Sequence, residues 1–226
     1  MNGNWGRSIE QLLLIAVESK VRVLGVVSPD SNSGVSSLCH QLAEASQNAG
    51  WQTLLADFSE TSEGSADDEW NPGETQPRIT QSNRHAYDLL RVRITPATRA
   101  RFNNIGALQQ ALNDDLKRYD RIIVDLPPVL DASADALNPV AAARACDTVV
   151  MVCMAGRITR GRLASAVSSL DAVSVRLGGL IINDLENPTL GQRVAASALK
   201  MPLLTKRLST WLAAKANSSD ALNTPL

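Results

Sequence analysis

The sequence has little net charge, no long apolar run and no patterned cysteines, and each shortage closes off a class of function. Lysine and arginine total 22 against 23 aspartate and glutamate, a formal net charge of −1. Bulk electrostatics therefore gives no support to nucleic-acid binding, and no nucleic-acid partner is expected. No apolar stretch approaches the ~20 residues that span a bilayer. The run Leu12–Val17 is too short for a signal peptide and follows Glu10, so none is expected. Cys39, Cys146 and Cys153 fall in predicted helix or strand without metal-type spacing, which reads as reduced core thiols of a cytoplasmic protein. Cys39 and His40 are helix neighbours that point in different directions, and so suggest neither a ligand set nor a nucleophile.

What remains is a globular composition, 44% hydrophobic and 20% charged over 226 residues, enough for one α/β domain with a substantial core. The stretch Val21–Ala49 organises it. Val21–Val27 is apolar and β-branched without alternation, as in a strand buried on both faces. A polar loop follows over Ser28–Gly34, and then Leu38, Leu42, Ala45 and Ala49 recur at helical spacing up to Gly50. Strand, small-residue loop and helix make the setting in which P-loop proteins hold phosphates on backbone N–H groups and a helix N-terminus. Set against G-K-[ST], however, Gly34-Val35-Ser36-Ser37 has valine in the lysine position. Ser36 retains the Mg²⁺-ligand position, while Asp30 puts a carboxylate inside the loop, where it is expected to repel phosphate. The alternative is a plain crossover with no nucleotide.

A short helix over residues 8–19, capped by Ser8, precedes that unit within an N-terminal element of residues 1–20. Gln52–Ala56 reads as a second buried strand ending at Asp57, a carboxylate placed either to hold Mg²⁺ or to satisfy loop N–H groups. Residues 59–85 are acidic and rich in Pro, Gly, Ser and Thr, and are read as a mobile insertion with Trp70 as an exposed docking anchor. Ala86–Thr95 reads as a strand, and Ile105, Leu108, Leu112 and Leu116 mark an amphipathic helix. Arg121–Leu126 is an apolar strand carrying Asp125, the Walker-B pattern, which Pro127-Pro128 leads out of the sheet. A helix over Ala132–Ala145, a strand over Thr148–Met154, a helix over Thr159–Val173 and a strand over Val175–Ile182 ending in Asn183 complete the domain to residue 187. The alternation predicts a single-domain α/β fold: a doubly wound, mostly parallel sheet flanked by helices, P-loop NTPase-like. Ser28–Ser37, Asp57, Asp125 and Asn183 then meet on one sheet edge. The tail, residues 188–226, has a basic apolar stripe including Leu204, Leu208, Trp211 and Leu212, suited to packing on the domain, a partner or a membrane surface.

The succession VLGVVSP…GVSS, LLADF, YDRIIVDLPPVLDASADAL, DTVVMVCMAGRITR and GLIIND, over residues 8–187, resembles the cytoplasmic domain of bacterial tyrosine kinases (BY-kinases) of capsular and exopolysaccharide assembly. These are relatives of the partition and septum-placing P-loop ATPases. The resemblance implies that Asp57 is the Walker A′ aspartate, Asp125 the Walker B aspartate and Asn183 the adenine-reading position. It also implies action beside a membrane-spanning polysaccharide co-polymerase, at the inner face of the plasma membrane, with a ring as the oligomer. Three departures stand out. Val35 replaces the phosphate lysine. Glu10, Leu13 and Ala16 stand where the family has E-x-x-R-x-x-R, and the chain's two tyrosines, Tyr87 and Tyr119, both lie inside the predicted fold rather than in the tail.

The expectation is a non-catalytic homologue. Ser33, Gly34, Val35, Ser36, Ser37 and Asn183 form a degenerate nucleotide site, and Ser36, Asp57 and Asp125 are the Mg²⁺ candidates should nucleotide bind. Asp57 and Asp125 are then the catalytic candidates of the alternative, an active ATPase or autokinase with Arg157, Arg160 or a neighbouring subunit's arginine supplying the missing charge. No cofactor is expected under the first reading, and Mg-ATP under the second. A membrane-placed positioning protein is the third possibility.

Overall fold

Val23–Val27 (β1) is buried at all five positions because both faces of its strand are covered, and the rest of the sheet is laid out around it. The computed structural model describes residues 5–59, 70–81, 85–132 and 137–184. Beside β1 the strands are Thr53–Asp57 (β2), Thr80–Gln81 (β3), Asp88–Arg91 (β4), Arg121–Asp125 (β5), Thr148–Met154 (β6) and Leu177–Asn183 (β7). Their order across the sheet is β3-β4-β2-β5-β1-β6-β7. Every pairing is parallel except β3 with β4. The mostly parallel, doubly wound architecture is thus as the alternating pattern predicts.

Among the described residues six helices cover the faces: α1 (Gly6–Glu18), α2 (Val35–Asn48), α3 (Pro96–Phe102), α4 (Ile105–Asp114), α5 (Pro139–Arg144) and α6 (Arg160–Asp171). One apolar cluster joins Ile9 and Leu12 of α1 and Leu38 and Leu42 of α2 to Leu24, Leu55 and Ile123. The other joins Leu108, Leu112, Ala142 and Leu170 of α4 to α6 to Leu54, Ile122 and Val149. Two separate clusters on one sheet are the physical reason why the central strands lack polar alternation. Cys39, Cys146 and Cys153 are buried free thiols within this core.

Several local expectations change. Helix α1 begins at Gly6 with Trp5 at the N-cap and no side-chain cap bond, so Ser8 is not the cap. Strand β4 is shorter than Ala86–Thr95, because Pro96 opens α3, capped by Thr95 accepting from the Thr98 N–H. In place of the helix over Ala132–Ala145, the described residues hold α5, whose cap Asn138 accepts from the Val140 and Ala141 N–H groups.

The reading of Trp70 as an exposed anchor is corrected. The described part of the insertion, residues 70–81, packs on the domain rather than standing free. Trp70 is fully buried, edge-on to Phe102 with ring centroids 5.6 Å apart, and its indole N–H donates to the Thr75 carbonyl. Thr80–Gln81 adds β3 to the sheet. Residues 60–69, 82–84 and the tail stripe from Leu204 to Leu212 lie outside the described residues.

Candidate functional site

Parallel strands with crossovers on both faces leave a crevice at their C-terminal ends where the strand order reverses, and β1 occupies that point. The loop from β1 to α2 lines a cleft of about 350 Å³ there, walled by Ser31 to Ser37 on one side and by Ser59 and Asp125 to Pro128 on the other. The expected residues Ser33, Gly34, Val35, Ser36 and Ser37 all line it, as does Asp125.

The loop is held in shape by its own polar atoms. Ser28 and Ser33 both donate through Oγ to the Asp30 carbonyl, at 2.7 and 2.9 Å. The Val129 and Leu130 N–H groups, just past Pro127-Pro128, donate to the carbonyls of Ser28 and Pro29. Asn32 (φ 60°) and Gly34 (φ 91°) take left-handed conformations. At Gly34 the glycine is required twice over: the φ suits it, and a Cβ would lie 2.7 Å from Asn183 Nδ2 and 3.3 Å from the Trp5 ring. Gly34 is also the N-cap of α2, with no side chain among the described residues capping the first-turn N–H groups. Those amides are the groups that an anion in the cleft would meet.

The charges around the loop do not match a phosphate site. Val35 is buried in the apolar cluster formed by α1 and α2. Among the described residues, no lysine or arginine lines the cleft. Arg157 and Arg160, proposed from sequence as substitutes, are exposed and absent from its walls. Asp30 is not the free repulsive carboxylate that its position suggests. The Arg162 Nε donates to it at 2.8 Å, and Arg162 also bonds Asp131 at 2.7 Å. Sequence reasoning missed both Arg162 and Asp131, which lie 132 and 101 residues from Asp30 by number, and nothing in their local sequence marks them as loop partners.

Asp125, at the end of β5, is 3% exposed. Burial is the main cause that raises its carboxyl to about 7. The Ser36 hydrogen bond opposes the shift, and the neighbouring Asp57 charge adds to it. One oxygen, Oδ1, is buried with no partner among the described residues. Asp57 instead accepts from the backbone N–H and hydroxyl of Ser59, at 3.1 and 2.7 Å, so it serves here to satisfy its loop. Asn183 is 4% exposed and donates through Nδ2 to the Ser33 carbonyl at 3.1 Å. It therefore braces the phosphate loop in this conformation.

The fit to Mg-nucleotide is uneven. Ser36 and the orphan oxygen of Asp125 are donors of the kind Mg²⁺ takes, although among the described residues no cluster of three metal-type side chains exists. Three or four phosphate charges would meet amide groups, serine hydroxyls and the carboxyl of Asp125, with no cationic side chain among the described walls. The residues present do not fit a bound triphosphate.

No protein-family model matches the sequence, and no curated protein does. Solved structures do match in fold. The BceF tyrosine kinase domain aligns at TM-score 0.61 with 23% identity, over 78% of this chain and 74% of its own. The kinase domain of the Escherichia coli tyrosine kinase ETK aligns at 0.65 with 20% identity, over 78% and 73%. The septum site-determining protein MinD from Pyrococcus horikoshii, complexed with Mg-ADP, aligns at 0.52 with 15% identity, over 71% and 69%. The chain has the P-loop NTPase-like fold that these domains share.

Proposed function

We propose that this chain is a non-catalytic BY-kinase homologue, a regulatory and docking subunit of exopolysaccharide assembly and export that works against the cytoplasmic ends of a membrane-spanning polysaccharide co-polymerase. The observation that carries the non-catalytic part is the cleft lining. A P-loop-shaped crevice has a buried valine where the lysine belongs, and no basic side chain among its described walls. The alignments with the BceF and ETK kinase domains support the system, and the motif order from Tyr119 to Arg160 supports it independently.

Two further observations favour binding over phosphoryl transfer. Both tyrosines are buried, Tyr87 at 1% and Tyr119 at 4% exposure, and each is hydrogen-bonded, to His40 and to Asp88 respectively. Neither is presented as an autophosphorylation substrate. Helix α1 carries Leu13 and the buried Ala16 in place of arginines, so any homo-oligomer would lack that family's ring contacts. Association with the inner face of the membrane follows from the partner, since among the described residues no helix is long and apolar enough to cross one.

The test is made in cells. A strain lacking this chain is complemented with wild type and with Asp57→Asn/Asp125→Asn, and exported polysaccharide is measured for amount and length. A docking subunit restores both with either version. Restoration by wild type alone, with both proteins equally abundant, would place catalysis at Asp57 and Asp125 and overturn the proposal.

A further inference from the structure

A second cleft lies at the opposite edge of the sheet, where β1, β2 and β5 begin. It has a volume of about 420 Å³ and is lined by Lys20, Val21, Arg22, Trp51, Asp120 and Arg121. Strands of five residues at about 3.3 Å each place it roughly 17 Å from the phosphate loop. Its defining feature is Arg121, which is 7% exposed. The guanidinium carbon sits 3.6 Å from the Trp51 ring centroid. Its Nε is buried without an acceptor, and no hydrogen bond or ion pair joins the guanidinium to any described residue.

That is an unusual state for an arginine, which is almost never buried unless paired. The neighbouring Arg22 shows the ordinary one. Its guanidinium donates to the carbonyls of Tyr119, Leu112 and Leu116 at 3.0, 3.1 and 2.6 Å, closing the end of α4. The nearby carboxylates do not answer Arg121 either. Asp120 accepts from the Gln52 N–H at 2.9 Å, and Asp147 from the Arg22 and Val23 N–H groups at 2.8 Å each. Burial is the largest influence on the Arg121 guanidinium and lowers its pKa, and these carboxylates act on it only at a distance. Among the described lining residues are three cations, Arg22 being engaged as above, and the single carboxylate of Asp120.

We propose that this cleft binds a small oxyanion, a carboxylate or a phosphate group. The two Nη groups of Arg121 donate to it, Lys20 adds charge from the rim and Trp51 forms the wall. A planar fork of N–H donors with no acceptor among the described residues, opening on a cationic cleft, is the arrangement that recognises such groups. The cleft is separate from the phosphate loop, and the proposal does not depend on the function assigned above.

The test is amide and indole NMR on the full ¹⁵N-labelled chain, titrated with sodium phosphate and, separately, sodium acetate at ionic strength held constant with chloride. Saturable shifts at Lys20, the Trp51 indole and Arg121 are expected, with the tighter of the two salts identifying the oxyanion. Shifts at Gly34 to Ser37 report independently on the phosphate loop. Arg121→Gln is expected to weaken the response at Trp51 at least about tenfold, and Lys20→Gln about threefold. Lys20 is exposed, so its variant carries the test if Arg121→Gln fails to fold. Linear shifts, shifts reproduced by chloride, or saturation unchanged in Lys20→Gln overturn the proposal.

Discussion

Arg162, in the first turn of α6, holds the carboxylate of Asp30 in the phosphate loop and reaches Asp131 with the same guanidinium. One exposed arginine thus ties the loop to the segment after β5 and to the helix after β6. The Ser31 N–H, which donates to Asp131 at 3.4 Å, completes the link.

Removing that tie loosens the loop without unfolding the domain. Arg162→Gln is expected to speed amide hydrogen exchange at Ser31 and Asn32, with the melting temperature within about 2 °C of wild type, because exposed ion pairs contribute little to global stability. Asp30→Asn gives the same local effect. Unchanged exchange in both variants would show that the serine and Asn183 hydrogen bonds fix the loop alone.

The buried Asp125 makes stability depend on pH. Its carboxyl is raised from 3.8 to about 7, chiefly by burial. Between those values the unfolded chain ionises while the folded one stays protonated. Stability therefore falls as pH rises through that window and levels off above it. Asp125→Asn removes the burial of charge, so it is expected to stabilise the fold at pH 8 by on the order of 2–4 kcal/mol and to change little at pH 4. Urea unfolding at the two pH values reads this directly. A variant less stable than wild type at pH 8 would show that the ionised carboxylate is compensated.

Trp70 separates a packed insertion from a free one. It is fully buried against Phe58 and Phe102. Trp70→Ala is expected to destabilise by about 3–5 kcal/mol in urea unfolding, as large-to-small changes in a core do. A loss under 1 kcal/mol would mean that this aromatic cluster does not support the fold.

Much of this architecture was legible in the residues. Apolar runs ending in Asp57, Asp125 and Asn183 marked three strands and the edge on which they converge; the first two are strands buried on both faces, which have a local signature, while the third is largely exposed. Trp70 was misread because low-complexity surroundings say nothing of long-range aromatic partners, and Phe102 lies 32 residues away. Asp30 was misread for the same reason: its sign is written in the sequence, but its counter-ion is not. The function of Asn183 as a loop brace depends on a hydrogen bond spanning 150 residues. Local pattern therefore located the cleft, and tertiary pairing set its electrostatics.

Calorimetric titration of Mg-ATP and Mg-ADP into the wild-type chain, beside Val35→Lys, tests the central claim most directly. A cleft with no cation among its described walls predicts no saturable heat from wild type up to millimolar nucleotide. Micromolar binding by wild type would show that amides and the helix terminus suffice without a lysine, and would contradict the non-catalytic reading of this fold.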